Sequence, residues 1–183
     1  MEKAFRVYLT LITLSVALVV FLTSQKITFI DKLHPIFANV YPLASFLSYL
    51  LAAIWLAKLG LFVIGRYLGN DCIKEKTLVS IEPAGDTYLP VYLGYFFVAL
   101  SLSSFELFLY VFGLIGIFIF SSRSVYFNPL FYLLGFYFYH AQTQKGRKIL
   151  IVTRDCLFNP QTVSFPKIKR VNDYTFIDIG DSL

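Results

Sequence analysis

Four long apolar stretches, at residues 7–23, 41–68, 89–120 and 125–140, constrain what this chain can fold into more than any motif does. A helix of about 20 apolar residues is long enough to cross a hydrocarbon core of about 30 Å. Only 15% of the 183 residues are charged, against roughly a quarter in a typical soluble domain. Much of the surface therefore meets something other than water. The 20 Phe and 13 Tyr suit a protein with extensive interfacial and lipid-facing area.

The first stretch follows Lys3 and Arg6 and imitates a secretory signal. It runs out through Phe21-Leu22-Thr23-Ser24-Gln25-Lys26 with no small-x-small cleavage site, so it reads as a retained helix. The second opens with Pro42, tolerated in a first turn, and holds one charge, Lys58. The third has Pro90 at its start and Asp86 and Thr87 as possible caps. As one helix it would measure roughly 48 Å, so it either tilts and projects, or breaks at Ser101-Leu102-Ser103-Ser104-Phe105-Glu106. The fourth carries Pro129 in its first turn.

The expected fold is all-α in the membrane: a four-transmembrane-helix bundle with helices near 7–23, 41–68, 89–120 and 125–141. Residues 1–147 form the membrane domain on this reading, with an inner loop at 69–88, and residues 148–183 form a cytoplasmic tail. Basic residues orient the bundle, because cytoplasmic segments collect Lys and Arg. With both termini inside, Lys3, Arg6, Arg66, Lys74, Lys76 and the basic residues of the tail are internal. Only Lys26, Lys32 and Arg123 face outward, while Lys58 snorkels to the inner face.

Strand character appears in Thr77-Leu78-Val79-Ser80-Ile81-Glu82, in Lys148-Ile149-Leu150-Ile151-Val152-Thr153 and in Tyr174-Thr175-Phe176-Ile177-Asp178-Ile179. The residues 163–171 lie between the last two. A lone hairpin is marginal in water, so these segments are expected to join in a small cytoplasmic β-rich element or to meet a partner.

Glu106 is the sharpest candidate for chemistry, since a carboxylate in an apolar stretch usually faces a bundle interior, a cavity or a partner. With Ser101, Ser103 and Ser104 it offers an ion or proton site or an interhelical hydrogen bond. Its depth, roughly 24 Å from Pro90 along a helix, equally suits the outer headgroups. Lys58 lies nearer the inner face, which disfavours a direct pair with it. Ala53 with Ala57, Gly65 with Gly69, and Gly113 with Gly116 permit close helix approach.

In the tail, Lys145, Arg147 and Lys148 form one basic cluster and Lys167, Lys169 and Arg170 another. Such clusters beneath a membrane attract anionic headgroups or a protein partner. No stacking motif supports direct nucleic-acid binding. Cys72 and Cys156 have neither metal-site nor disulfide spacing, and His140 and His34 have no companions at ligand spacing. Phosphate loops, HExxH, nucleophile elbows and paired catalytic carboxylates are missing, so no enzyme, cofactor or metal is expected.

The inner loop Leu78-Val79-Ser80-Ile81-Glu82-Pro83-Ala84-Gly85-Asp86 and the tail Lys169-Arg170-Val171-Asn172-Asp173-Tyr174-Thr175-Phe176-Ile177 give the chain a resemblance. It resembles the KwaA family, membrane subunits of the Kiwa bacterial antiphage system. The resemblance implies a homo-oligomer, a tetramer, in the bacterial inner membrane that senses phage attack. It also implies a soluble DNA-binding partner docked on the cytoplasmic face, and assigns no site residues; Asp173, Tyr174 and Phe176 join the basic residues of the tail as candidates for contact with a partner or headgroups. Two functions follow. One is a non-enzymatic membrane sensor or scaffold holding a soluble cytoplasmic effector; the other is a small oligomeric ion channel or transporter subunit built around Glu106.

Overall fold

The computed structural model describes residues 2–27, 41–121 and 128–180, without the side chains of 2–6, 41–42 and 86. Lys32, His34 and Arg123 therefore lie outside the described residues, as do the side chains of Lys3, Arg6, Pro42 and Asp86. The described residues fall into two compact units, one within 1–57 and 90–130 and the other within 58–89 and 131–183.

In the first unit, helix α1 (Glu2–Ser24) is apolar almost throughout. Its hydroxyls fold back onto the helix: Thr13 Oγ1 donates to Leu9 O at 2.9 Å and Thr23 Oγ1 to Val19 O at 2.8 Å. Polar side chains thereby sit in an apolar segment without orphaned groups. The helix stops where Lys26 turns left-handed, at φ 52°. Lys26 N–H then bonds Thr23 O and Ile27 N–H bonds Leu22 O, the paired closure of a Schellman end. Helix α2 (Tyr41–Tyr67) holds Tyr8 against it, through the phenol's bond to Leu56 O at 2.8 Å.

The third apolar stretch is broken. It forms α3 (Gly85–Ser101) and α4 (Phe105–Ser121), of 17 residues each, separated by Leu102, Ser103 and Ser104. At about 1.5 Å per residue each is roughly 25 Å long, short of the hydrocarbon core. Serine chemistry makes the break. Ser101 Oγ donates to Val98 O at 2.8 Å, and Ser104 Oγ accepts from Leu107 N–H at 3.3 Å as the cap of α4. Gln25 Nε2, just past α1, donates to the carbonyl of Leu102, between the two helices, at 2.8 Å. Beside it, Phe21 stacks on Phe108 at 4.6 Å between centroids and Phe108 on Phe112 at 4.5 Å. With Ala17 and Ala99 these rings form the unit's core. Gly116 permits the approach, since a Cβ there would stand 3.2 Å from Leu14 Cδ1. Gly113 has no neighbour that close.

The second unit is a sheet. Strands β1 (Asn70–Ile73), β2 (Leu78–Pro83), β3 (Tyr137–Thr143), β4 (Lys148–Thr153), β5 (Phe165–Arg170) and β6 (Thr175–Ile177) lie in the order β1-β5-β6-β4-β3-β2. Only the β4–β6 pair is parallel. Ile149 through Thr153 are all buried, so β4 reads as a continuous apolar run, as a strand covered on both faces does. One face packs Ile149, Ile151, Val163, Phe165 and Ile168 into a core. On the other, Phe138 meets Phe131 and Tyr132 of a short helix α5 (Pro129–Leu133). Gly146, at φ 75°, closes the β3–β4 hairpin.

The expectation of a four-transmembrane-helix bundle is overturned. Among the described residues two helices, Val7–Ser24 and Leu43–Tyr67, are long and apolar enough to cross a membrane, and a six-stranded mixed sheet makes the fold α/β. The expected fourth helix, 125–141, is α5 followed by strand β3. Gly135 ends α5 at φ 80°, with Gly135 N–H bonding Tyr132 O and Phe136 N–H bonding Phe131 O. Beyond it Tyr137, Phe138 and Tyr139 enter β3, an interior strand paired with β2 and β4. A buried strand and a helix segment share the same unbroken hydropathy, and aromatic content favours the strand.

Replacing Gln25 by leucine leaves Leu102 O without its partner. The Gln25→Leu protein should unfold at a lower temperature than wild type, by an amount equivalent to about 1–3 kcal/mol. Identical thermal melts of the two purified proteins would remove Gln25 from the account of the break.

Candidate functional site

The charged residues of the sheet unit are sorted by the strands that carry them. Lys145 and Arg147 stand at the β3–β4 hairpin and Lys148 opens β4, all exposed. Lys167 and Lys169 are two residues apart on β5 and share a face, while Ile168 between them enters the core. Lys169 lies opposite Asn70 on one side and Ile177 on the other. Its Nζ donates to Leu68 O, just past α2, at 3.1 Å. That bond draws β5 to the end of α2, where a Cβ on Gly65 would lie 3.7 Å from Ile179 Cδ1.

The convergence of α2, β5 and the residues after β6 opens a cleft of about 770 Å³. Arg66, Lys167 and Lys169 line it with Asp155 and Asp178, and Phe62 and Phe165 supply apolar wall. Asp178 is already committed: Oδ2 accepts from Thr153 Oγ1 at 2.8 Å and Oδ1 from Gly180 N–H at 3.0 Å. Three cations in the lining suit a ligand with a phosphate or carboxylate group. No trio of His, Cys, Asp and Glu able to hold a metal ion occurs among the described residues.

Arg170 turns elsewhere. It pairs with Asp173 and, at 4.0 Å, with Asp71, and lines a smaller cleft of about 210 Å³ that Arg147 also reaches. Such exposed pairs contribute about 0–1 kcal/mol each and mainly fix the side chain's direction. Phe176 packs against the sheet core, whereas Tyr174 is 59% exposed.

Glu106 is exposed in the first turn of α4, where the helix N-terminus favours a negative charge. Ser101 and Ser104 serve the helix ends described above, and Ser103 is exposed between them. Lys58 is exposed on α2 and falls in the other unit. Sequence reasoning missed the grouping of Arg66, Asp155 and Asp178 around the two lysines, which sheet order alone creates. It also missed Phe158, 90% exposed in the loop between β4 and β5. A large aromatic in a polar loop beside Asn159 and Pro160 was the available signal.

His140 on β3 is half-buried, with its ring 5.6 Å from Tyr88 and Glu82 opposite it on β2. Burial holds its imidazole below the ordinary value; Glu82 pulls the other way and Lys148 adds to the depression. Folding therefore favours the neutral ring. Its stabilising share is complete above the unfolded-state pKa and is lost as pH falls through the folded one. Taking the pH from about 7.5 to about 5 should lower the melting temperature more for wild type than for His140→Gln. Parallel pH profiles of the two proteins would contradict this.

A family model described as anti-phage protein KwaA matches residues 5–177. Comparison with curated proteins and with solved structures gives no match. The match runs from the first turns of α1 to the end of β6, and the chain belongs to the KwaA family of anti-phage proteins.

Proposed function

We propose that the chain is a non-enzymatic membrane component of anti-phage defence that forms a homo-oligomer and holds a soluble effector on its sheet. The observation that carries the reading is the division of labour between the elements. Two helices have spanning length and composition, and large apolar side chains such as Phe97, Tyr110, Ile117 and Phe118 are more than 60% exposed on α3 and α4. Monomeric soluble proteins rarely expose contiguous apolar surface on that scale. The sheet unit, by contrast, exposes two large aromatics, Phe158 and Tyr174, and the arginines Arg147 and Arg170, residue types enriched where proteins meet.

The connectivity supports a membrane-side arrangement. β2 precedes α3 and β3 follows α4, yet the two strands pair directly. If α3 and α4 enter a bilayer, the chain returns to the side it left. The exposed basic residues of the sheet support the cytoplasm as the side on which it lies. The inner membrane of a bacterium is the setting, with both termini cytoplasmic. An ion channel or transporter around Glu106 is the weaker reading, because a carboxylate in a first helical turn is accounted for by the helix dipole.

Carbonate washing of membranes from expressing cells should leave the protein in the pellet; release into the wash would sink the membrane reading. For the docking reading, deletion of 160–183 is a poor test, since it removes β5 and the interior strand β6. Substituting both Phe158→Ser and Tyr174→Ser keeps the sheet and should cut co-purification of a stoichiometric soluble protein at least fivefold. Undiminished co-purification with both residues replaced would exclude this surface as the dock.

A further inference from the structure

We infer that the cleft between the last turn of α2 and β5 binds the phosphate of a glycerophospholipid headgroup. The inference rests on the membrane reading above and gives it a lipid site. Three features argue for it together.

The first is position. The apolar span Leu43–Tyr67 ends at the cleft, and Arg66 is the basic residue of its last turn. In a spanning helix such an end lies at the headgroup level. The second is charge. Arg66, Lys167 and Lys169 face the cleft from two separate elements, which makes a phosphate contact directional rather than a diffuse attraction. A helix C-terminus opposes an anion. Lys169 offsets part of that opposition by taking the carbonyl of Leu68. The third is the mixed lining. Asp178 is held by Thr153 and Gly180, and Asp155, also in the lining, offers a carboxylate to a headgroup hydroxyl or ammonium. Phe62, 49% exposed on the same helix one turn before Arg66, offers a surface for the glyceryl and first acyl carbons. A cleft of about 770 Å³ accommodates a headgroup with its glycerol, within the usual range for small-molecule sites.

A soluble phosphate ester shares this chemistry, so the test separates the two sources. Full-length protein in a mild uncharged detergent is titrated with dihexanoyl phosphatidylglycerol and, separately, with glycerol 3-phosphate. The lipid should bind at least tenfold more tightly than glycerol 3-phosphate. The Arg66→Gln/Lys167→Gln protein should lose tenfold or more in lipid affinity. Lys145→Gln/Arg147→Gln, an equal charge change at the β3–β4 hairpin, should lose less than twofold. Equal affinity for the two ligands would overturn the lipid assignment. Equal loss in the two double variants would overturn the site and leave only general electrostatics. Should the cleft variant fail to fold, Lys167→Gln alone, with Lys167→Arg as the conservative rescue, reads the same contrast. Retention in carbonate-washed membranes is independent of these titrations, so failure of the site is distinguishable from failure of the membrane reading.

Discussion

The antiparallel pairing of β2 with β3 is the constraint on which the rest of the structure depends. Pro83 and Tyr139 are register partners, yet the whole of α3, α4 and α5 lies between them in the chain. Everything inserted there has to leave the sheet and come back to it. Gly85 marks the departure: a Cβ at that position would stand 2.6 Å from the hydroxyl of Tyr132, on the returning segment. The pairing also places β2 at a sheet edge and β3 in the interior, so the aromatic run Tyr137-Phe138-Tyr139 is fixed as strand. Once β3 is interior, its backbone groups are satisfied on both sides, and no helical alternative competes.

The third apolar stretch breaks at its serines, between α3 and α4. Four residues with three serines supply the interruption, and each hydroxyl that closes a helix end there does so locally. The carbonyl of Leu102 is the group that local chemistry does not satisfy, and the side chain of Gln25 supplies the bond from another helix. A polar residue at the end of α1 thus has a structural duty beside a stack of phenylalanines that carries the apolar packing.

What hydropathy made legible was the elements whose pattern is local. Both helices of spanning length stand where their apolar stretches lie, the break falls in the serine patch, and β4 occupies the residues with strand character at 148–153. The fourth stretch failed because an interior strand and a helix carry the same unbroken apolar pattern, and the deciding features were small. Gly135 at positive φ and three aromatics in succession after it are those features. β1 was invisible for a different reason. Asn70, Asp71 and Cys72 have no strand propensity, and only the edge pairing with β5 holds them extended.

The cleft shows why a site of this kind resists reading from sequence. Lys167 and Lys169 look like one tract with Arg170, three cations in four residues. Strand alternation splits the tract: the two lysines line the cleft beside Arg66, while Arg170 goes to Asp71 and Asp173. Arg66 comes from a residue about a hundred positions earlier, and Asp178 from the chain beyond β6; they meet because β5 lies between β1 and β6. A composition argument counts all these charges alike. The sheet order gives them separate duties, and a phosphate group approaching the end of α2 meets cations from two elements that the bond between Lys169 and Leu68 holds together.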